Sequence, residues 1–332
     1  MLDTIAVRLP NWLGDTVMAV PALESLRKGL PAARLVLAGP WVAVLADQEL
    51  ADVLVVYPRS WTGRLGSADS VRAAGPTTAV LLPNSFESAA TAFYWGARRR
   101  VGFACGGRSA LLSDRVPFPS PRLHQIDEYL TLAERLVSVA TRAPRLRPPD
   151  PDSETRRAVR ALLAEAGVPA GGRGRIVGVH LGAAWGSAKL WPPERVADFC
   201  RLVITDGDTP LLVGAPGDVP VAERVRGSLR VPSLAGRDSP ELLPALLAEV
   251  GVLVSGDTGV AHLAAALGTP VVTLFGPTDP ELTAPRGTAR VVRHAVPCAP
   301  CFYRTCPIEH PCMAGIAPES VREAARALMV PS

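Results

Sequence analysis

A turn of small residues with one carboxylate follows a short apolar run in the last third of the chain. The run 252–255 leads into Gly-Asp-Thr-Gly at 256–259, and an Ala/Leu-rich stretch continues past His262. This order predicts a buried strand, a tight turn and a helix. The first N–H groups of a helix have no intrahelical partner and its dipole favours negative charge, so the amides of Thr258 and Gly259 suit an anionic ligand. An ordinary strand-to-helix turn fits the same pattern.

A single lysine in the second half of the chain is notable because nearly all the other basic residues are arginines. Of the 35 Lys and Arg residues, only Lys28 and Lys189 are lysines. Lys189 comes after a strand predicted over 176–180 and a loop of small residues, and it precedes a helix predicted over 193–205. A flexible ammonium in such a loop is suited to meeting diphosphate oxygens. A solvated surface lysine is the plain alternative.

An aspartate follows the first predicted strand, which covers residues 5–9. Gly14 permits a tight backbone there, and Asp15 stands where the next helix begins. A carboxylate at a strand end lies where ligands bind in doubly wound α/β domains. The same aspartate also fits a helix N-cap, where it would contribute about 1 kcal/mol. These residues alone leave both interpretations open.

Short apolar runs alternate with helical patterns along the chain, which predicts parallel sheets covered by helices on both faces. Further strands are predicted at 34–38, 53–56, 79–82, 210–213 and 271–275. A proline-rich stretch at 143–151 interrupts the alternation and indicates a linker. We therefore predict an α/β protein of two doubly wound domains, at 1–150 and 151–332, with ligands bound at the carboxyl ends of the strands in a cleft between the domains.

The composition excludes several classes of protein. The 332 residues are 48% hydrophobic and 20% charged, which is typical of a globular enzyme and not of a disordered chain. No apolar run is long enough to predict a membrane span, and the first ten residues lack a signal-peptide pattern, so a cytoplasmic location is expected. Only 5% of the residues are aromatic, which disfavours nucleic-acid binding. The absence of Gly-x-Gly-x-x-Gly after either domain's first strand disfavours an oxidoreductase.

Four cysteines are concentrated in a short segment after the last predicted strand. They are Cys298, Cys301, Cys306 and Cys312, with His310 among them. The first pair has the spacing of a zinc knuckle, whereas the next gap is wider than usual. In a reducing compartment such thiols are metal ligands or free rather than disulfides. Structural zinc is one interpretation, and unligated thiols or a labile cluster are the other.

Four segments, taken in order, resemble the ADP-heptose:lipopolysaccharide heptosyltransferases of glycosyltransferase family 9, with the spacing of the heptosyltransferase II group. They are Gly14-Asp15, Leu82–Phe86, Ala188–Pro192, and Ser255–Gly259 followed by His262. The resemblance covers nearly the whole chain. It implies a GT-B fold, in which two Rossmann-like, doubly wound domains face a central cleft, with the acceptor on the first domain and the nucleotide sugar on the second. It also implies that the chemistry requires no cofactor, and that the last helix, at 321–329, packs back on the first domain.

The resemblance further implies roles for the donor-side residues and for the base. Asp15 is similar to the general base that deprotonates the acceptor hydroxyl, and Lys189 is similar to the partner of the donor diphosphate. Because a carboxylate repels phosphate, Asp257 is assigned to a sugar hydroxyl or to support of its loop, and Asp218 to the ribose or to a plain turn. The remaining donor-side residues are Thr258, Gly259 and His262.

The acceptor-side residues are expected in the first domain. Asn84 and Ser85 end a predicted strand, where they are placed to hydrogen-bond an acceptor sugar. Arg98 and Arg99, within an Arg-rich stretch, are suited to phosphate and carboxylate groups of the acceptor and to an anionic bilayer surface. A solvated basic face in an Arg-rich chain is the alternative for these arginines.

The leading hypothesis is an inverting transferase that moves L-glycero-D-manno-heptose from ADP-heptose to the inner-core heptose of lipopolysaccharide. Its expected partners are the ADP-heptose donor, the lipopolysaccharide acceptor and the cytoplasmic face of the inner membrane, bound peripherally, with no nucleic acid. The first alternative is another GT-B enzyme, such as a different family 9 transferase or a sugar-nucleotide epimerase. The second is an Arg-rich, zinc-containing nucleic-acid-binding protein.

Overall fold

The computed structural model describes residues 3–58, 61–139, 141–169, 176–227, 229–237 and 239–329. The chain divides into two compact units, Met1–Arg145 and Leu146–Ser332. This division falls inside the proline-rich stretch predicted as the linker, slightly before the predicted boundary. The backbone N–H of Leu146 donates to the carbonyl of Ala266 (2.8 Å), which ties the remainder of that stretch to the second unit.

The first unit is a six-stranded parallel sheet with helices between its strands. Its strands are β1 (Thr4–Arg8), β2 (Arg34–Gly39), β3 (Val53–Val56), β4 (Thr78–Leu81), β5 (Arg99–Phe103) and β6 (Asp114–Val116). Its helices are α1 (Leu13–Met18), α2 (Val20–Gly29), α3 (Trp61–Ala73), α4 (Phe86–Tyr94) and α5 (Gln125–Ala133). The central strands are buried along their length, as expected for a parallel sheet covered on both faces.

The strand order of the first sheet is β3-β2-β1-β4-β5-β6. This is the order of the Rossmann fold, in which the chain winds outward from the centre in both directions. The direction reverses between β1 and β4. A crevice therefore opens at the carboxyl ends of these two strands. Asp15, in the first turn of α1, and Asn84, in the loop after β4, lie at its edge.

The second unit repeats this design with a five-stranded parallel sheet, ordered β11-β10-β9-β7-β8. Its strands are β7 (Ile176–His180), β8 (Thr209–Val213), β9 (Val252–Gly256), β10 (Val271–Phe275) and β11 (Ala289–Arg293). Its helices are α6 (Glu154–Glu165), α7 (Pro193–Thr205), α8 (Val219–Arg226), α9 (Leu243–Leu247), α10 (Gly259–Ala266), α11 (Pro280–Thr283), α12 (Pro311–Ala314) and α13 (Pro318–Met329). Here the winding reverses between β7 and β9.

The closing helix α13 has a buried face that includes Val321 and Ala325. That face packs on α7 and on strands β9, β10 and β11, and the two residues belong to the core of the second unit. The packing of this helix on the first domain, which the resemblance implied, stays a prediction. None of the helices in the described part of the chain is both long and apolar enough to span a bilayer. The α/β class with two parallel sheets is confirmed.

Candidate active site

A buried ion pair lies at the carboxyl edge of the second sheet. Lys189 ends a 3₁₀ turn at Ser187–Lys189, and its Nζ donates to Oδ2 of Asp257 (2.6 Å) and to the carbonyl oxygen of the same residue (2.9 Å). Their side chains are only 11% and 6% exposed. The negative charge expected to repel phosphate is thus neutralised within the site. An ammonium has three N–H donors, so these two contacts do not saturate it.

Asp257 is held from two further elements. Its Oδ2 accepts a hydrogen bond from Oγ1 of Thr278 (2.7 Å), which lies in the loop between β10 and α11. Its Oδ1 lies 4.0 Å from Nε2 of His262 on α10, and both side chains are buried. Of the two roles predicted for Asp257, these contacts favour support of its loop and orientation of Lys189.

The N-terminus of α10 is open toward the same edge. Thr258 is its N-cap residue, but the Thr258 side chain makes no capping hydrogen bond. Its hydroxyl instead pairs with Oγ of Ser255 (2.9 Å), which also lies 3.3 Å from Nδ1 of His180. Within the described residues, the amides of Gly259 and Val260, the first two positions of this helix, have no hydrogen-bond acceptor, as an anion site requires. Burial lowers the pKa of His180 to about 4, so this imidazole is neutral at physiological pH and adds no charge.

Asp218 lies at the ends of the neighbouring strands β7 and β8. Its Oδ2 accepts from the backbone N–H of Ala215 (2.8 Å) and thereby closes a turn. A Cβ atom at Gly182 would lie 2.4 Å from this oxygen, and one at Gly214 would lie 2.8 Å from it, so the carboxylate packs directly on the backbone of both strand ends. Burial raises the pKa of Asp218. Asp218 therefore stabilises this turn, and it lies on the sheet edge where its contact with a ribose was predicted.

The segment 298–312, which contains the four cysteines, contacts the loop 181–189 that ends at Lys189. The carbonyl of Arg304 accepts from the N–H of Ala188 (3.0 Å). The Arg304 guanidinium and Nζ of Lys189 both lie over the ring of Trp185, at 5.9 and 5.0 Å from its centroid. A Cβ atom at Gly186 would come within 2.3 Å of the Arg304 carbonyl oxygen. Sequence reasoning missed this support, since only the fold brings the segment beside Lys189.

Replacing Gly186 with Ala is expected to lower kcat/KM for the donor by about 10- to 100-fold, because the new Cβ separates the Arg304 carbonyl from the loop and displaces Lys189. Steady-state kinetics and the melting temperature are the measurements. Gly227→Ala is the matched control, since a Cβ there meets its nearest atom at an ordinary 3.5 Å. Donor kinetics unchanged in Gly186→Ala would show that the contact does not position Lys189.

The four cysteines range from exposed Cys298 to buried Cys312, and within the described residues none of them forms a disulfide. Burial raises the pKa of Cys312, and the neighbouring thiols of Cys298, Cys301 and Cys306 raise it further. Within the described residues, no three His, Cys, Asp or Glu side chains are arranged to hold a metal ion. Structural zinc stays a prediction. Stoichiometric zinc in the purified protein would confirm it, and protein without zinc or iron would leave unligated thiols.

Asp15 is the half-buried carboxylate at the carboxyl edge of the first sheet. It lies in the first turn of α1, whose N-cap residue is Trp12, so the alternative in which Asp15 caps this helix is wrong. Helix α1 packs on α5, where Tyr129 is buried. Burial and the nearby charge of Asp15 together raise the pKa of Tyr129. Asp15 therefore does not cap α1 and remains the candidate base.

A buried arginine behind Asp15 was missed by the sequence analysis. Arg8 ends β1 with its side chain fully buried, and its Nη2 donates to Oδ1 of Asn11 (2.9 Å) in the loop that leads to α1. Its guanidinium lies 4.4 Å from the ring centroid of Tyr57, and Nη2 lies 3.9 Å from Oε2 of Glu87. Burial lowers the pKa of Arg8, and the charge of Glu87 opposes that effect. An arginine inside an apolar strand was the available signal.

Asn84 and Ser85 follow β4, which pairs with β1, so they lie on the same sheet edge as Asp15. Oδ1 of Asn84 accepts from Nη2 of Arg108 (3.0 Å), a fully buried arginine that fixes the amide. Oγ of Ser85 accepts from the backbone N–H of Ser88 (3.2 Å) and caps α4. Asn84 is therefore a positioned polar group, whereas the Ser85 hydroxyl is engaged in capping.

Arg98 and Arg99 lie at the other edge of the first sheet. Arg99 begins β5 and pairs in register with Thr78, the first residue of β4. The Arg99 side chain forms an ion pair with Asp114 (2.8 Å). Because parallel strands all run in one direction, the amino ends lie opposite the carboxyl ends. The structure does not bring these two arginines together with Asp15 and Asn84, and they are left out of the acceptor site proposed below.

Comparison with known proteins gives one consistent relationship. A family model described as glycosyltransferase family 9 (heptosyltransferase) matches residues 66–311. Lipooligosaccharide heptosyltransferase 2 of Haemophilus influenzae is 28% identical over 299 residues, covering 83% of this chain and 84% of that protein. Lipopolysaccharide heptosyltransferase 2 of Escherichia coli is 28% identical over 307 residues, covering 86% of each. The solved structure of E. coli ADP-heptose lps heptosyltransferase II matches with a TM-score of 0.80 and 26% identity, covering 98% of both chains.

The chain folds into two parallel α/β units, with candidate ligand-binding loops at their carboxyl edges. A solved heptosyltransferase matches it over almost the full length. Together these observations define a glycosyltransferase of the GT-B class. The chain belongs to glycosyltransferase family 9, the heptosyltransferase family.

Proposed function

We propose that this protein transfers a heptose from ADP-L-glycero-D-manno-heptose to the inner-core heptose of lipopolysaccharide, with inversion at the anomeric carbon. The observation that carries the proposal is the Lys189–Asp257 ion pair beside the open N-terminus of α10, because it combines a positioned ammonium with unpaired amide donors. The similarity to heptosyltransferase 2 proteins over most of the chain supports the choice of sugar and acceptor.

In the donor half, the diphosphate is bound by the Lys189 ammonium and by the amides of Thr258 and Gly259 at the N-terminus of α10. As the bond between the anomeric carbon and the diphosphate oxygen breaks, negative charge grows on the departing ADP. Donors that are already fixed stabilise that charge without reorganising. Asp257 and Thr278 keep Lys189 in place, and the low pKa of His180 keeps that imidazole uncharged near neutral pH.

In the acceptor half, Asp15 accepts the proton of the attacking heptose hydroxyl while its oxygen forms the new glycosidic bond. A single displacement at a carbon with oxocarbenium character inverts the configuration. Asn84, fixed by Arg108, hydrogen-bonds the acceptor sugar, and Arg8 orients the Asn11 loop that leads to Asp15. The balanced products are the glycosylated acceptor and ADP, with the hydroxyl proton on Asp15.

A donor screen tests the proposal. The purified protein is incubated with a heptose-bearing core acceptor and with ADP-heptose, UDP-sugars or GDP-sugars in parallel, and the products are detected by mass spectrometry. We expect one added heptose with ADP-heptose and no product above background with the other nucleotides. Transfer from a UDP- or GDP-sugar would indicate a different glycosyltransferase. Conversion of the free nucleotide sugar without an acceptor would indicate an epimerase.

We also propose a cytoplasmic location with peripheral binding to the inner membrane, because the acceptor is a membrane lipid. This part of the proposal is open to a direct fractionation experiment. The protein should appear in the cytoplasmic and membrane fractions of cells, and raised salt should shift it toward the cytoplasmic fraction, since attraction to anionic lipid is screened by ions.

A further inference from the structure

Helix α4 presents large apolar side chains to solvent. Phe86 and Phe93 are 57% and 62% exposed, and Tyr94 is 42% exposed. The buried residues of this helix are Ser88, Ala89 and Ala92 on its other side. Residues seven apart lie nearly above one another on a helix, so Phe86 and Phe93 form one outward stripe with Tyr94 beside it.

Helix α3 extends this surface. Leu65 is 67% exposed, and it lies on the same helix stripe as Asp69 and Arg72, four and seven residues further on. The hydroxyl of Tyr94 donates to the carboxylate of Asp69, and the Arg72 guanidinium lies 5.0 Å from the Tyr94 ring centroid. The two helices therefore share one exposed surface, the aromatic face, made of Leu65, Phe86, Phe93 and Tyr94.

Arginines surround the aromatic face. Arg72 is exposed beside Tyr94, and the Arg100 guanidinium lies 5.4 Å from the ring centroid of Phe93. Arg98 is also exposed, and its carbonyl oxygen accepts a hydrogen bond from Nη1 of Arg100 (3.3 Å). The net positive charge of the chain also arises from this unit. Residues 1–145 contain 16 Lys and Arg against 12 Asp and Glu, whereas residues 146–332 contain 19 of each, so the net charge of +4 belongs entirely to the first unit.

The aromatic face begins beside the proposed acceptor site. Phe86 is the first residue of α4, directly after Asn84 and the capping Ser85 at the carboxyl end of β4. A surface that holds aromatic rings and arginines is suited to a bilayer interface, where the rings sit at the headgroup level and the guanidinium groups meet lipid phosphates. An acidic protein partner would use the charge but would not require four exposed apolar and aromatic side chains.

We propose that the aromatic face docks on a bilayer of anionic phospholipid and so presents the acceptor edge of the first unit to a lipid-anchored acceptor. The inference rests on the proposed function for its choice of acceptor. Docking uses insertion of Phe86, Phe93 and Leu65 at the interface and contact of Arg72 and Arg98 with headgroup phosphates.

Co-sedimentation with vesicles tests the docking. Two sets of vesicles are used. The anionic vesicles contain phosphatidylethanolamine and phosphatidylglycerol at about three to one, and the neutral vesicles contain phosphatidylcholine alone. We expect the full chain to bind the anionic vesicles, less at high salt, and not the neutral ones. The variant Leu65→Ser/Phe93→Ser should bind the anionic vesicles at least roughly tenfold more weakly, since it removes two inserted side chains. Both residues are exposed, so folding should be unaffected.

The matched control is Ile204→Ser/Val219→Ser, which removes two exposed apolar side chains (43% and 36% exposed) from the second unit. It should bind vesicles like the unaltered protein. Leu65→Ser/Phe93→Ser should retain its rate on a lipid-free core oligosaccharide and lose rate on lipopolysaccharide embedded in vesicles. Equal vesicle binding by the two double variants would overturn the proposal.

Two further outcomes distinguish failure of the membrane docking from failure of the proposed heptosyltransferase function. Heptose transfer to the lipid-free acceptor without vesicle binding would overturn the docking and leave the proposed function standing. Vesicle binding lost in Leu65→Ser/Phe93→Ser, without heptose transfer by any form, would overturn the proposed function alone. If gel filtration showed that this variant converts an oligomer into monomers, with no vesicle binding by either form, the aromatic face would be a contact between copies of the chain.

Discussion

Replacing Asp15 with Asn is expected to lower kcat by about 10²- to 10⁴-fold, the range that a positioned general base contributes. The amide keeps the size of the side chain but accepts a proton poorly, so the attacking hydroxyl stays a weak nucleophile. The fold should survive, because Asp15 is half-buried and the N-cap of α1 is Trp12. The measurement is the initial rate of heptose transfer at saturating donor and acceptor.

Binding of ADP to the Asp15→Asn variant should remain within about twofold of the unaltered protein, since the donor diphosphate is assigned to the second unit. Glu154→Gln is the matched control. Glu154 is also an acidic residue in the first turn of a helix, α6, but it is exposed. Its replacement should leave turnover unchanged. Turnover by Asp15→Asn within a few fold of normal would remove Asp15 from the role of base.

Replacing Lys189 with Ala is expected to weaken donor binding and to lower kcat together, by roughly 10²- to 10³-fold in kcat/KM, as the loss of a fixed charge donor does. The substitution also leaves Asp257, 6% exposed, without its ion partner. Removing one partner of a buried ion pair costs about 3–5 kcal/mol, so the free energy of unfolding should fall as well. Donor kinetics and denaturant unfolding measure the two effects separately.

A second variant separates stability from catalysis. Lys189→Ala/Asp257→Asn removes both charges, so it should recover much of the free energy of unfolding but not the rate. The control is Lys28→Ala, which replaces the other lysine of the chain, with a side chain 73% exposed. A double variant that regained both stability and donor binding would show that Lys189 serves the fold and not the diphosphate.

Much of the secondary structure was predictable because its local signals were strong. The strand predicted at 176–180 and the helix predicted at 193–205 are found as β7 and α7 with the predicted bounds. Near-continuous apolar runs bounded by turn residues identify strands of a covered parallel sheet, and helix α7 begins with a proline at its first position. The strand predicted at 5–9 is displaced by one residue, as β1 (Thr4–Arg8), because Leu9 is as apolar as the strand itself.

For the candidate site, the sequence predicted only at which sheet edge each residue lies, and not which side chains are in contact. Asp15, Asn84, Lys189 and Asp257 each follow a strand, and strand ends in a parallel sheet gather at one edge, so their sheet edges follow from the order of elements. Arg98 and Arg99 show the limit of such reasoning. They lie close to Asn84 along the chain, but a whole helix separates them from it and returns the chain to the amino edge.

The sequence by itself determined the α/β class, the repeat of one design in two units, and the residue types at the strand ends, because periodicity and turn chemistry act over short distances. Only the tertiary structure decided which charges meet. The pairing of Lys189 with Asp257, the support of Gly186 by Arg304 and the burial of Arg8 beside Glu87 join residues far apart in the chain. No local pattern encodes such pairs, since their distances exist only once the strands are in register and the loops have packed.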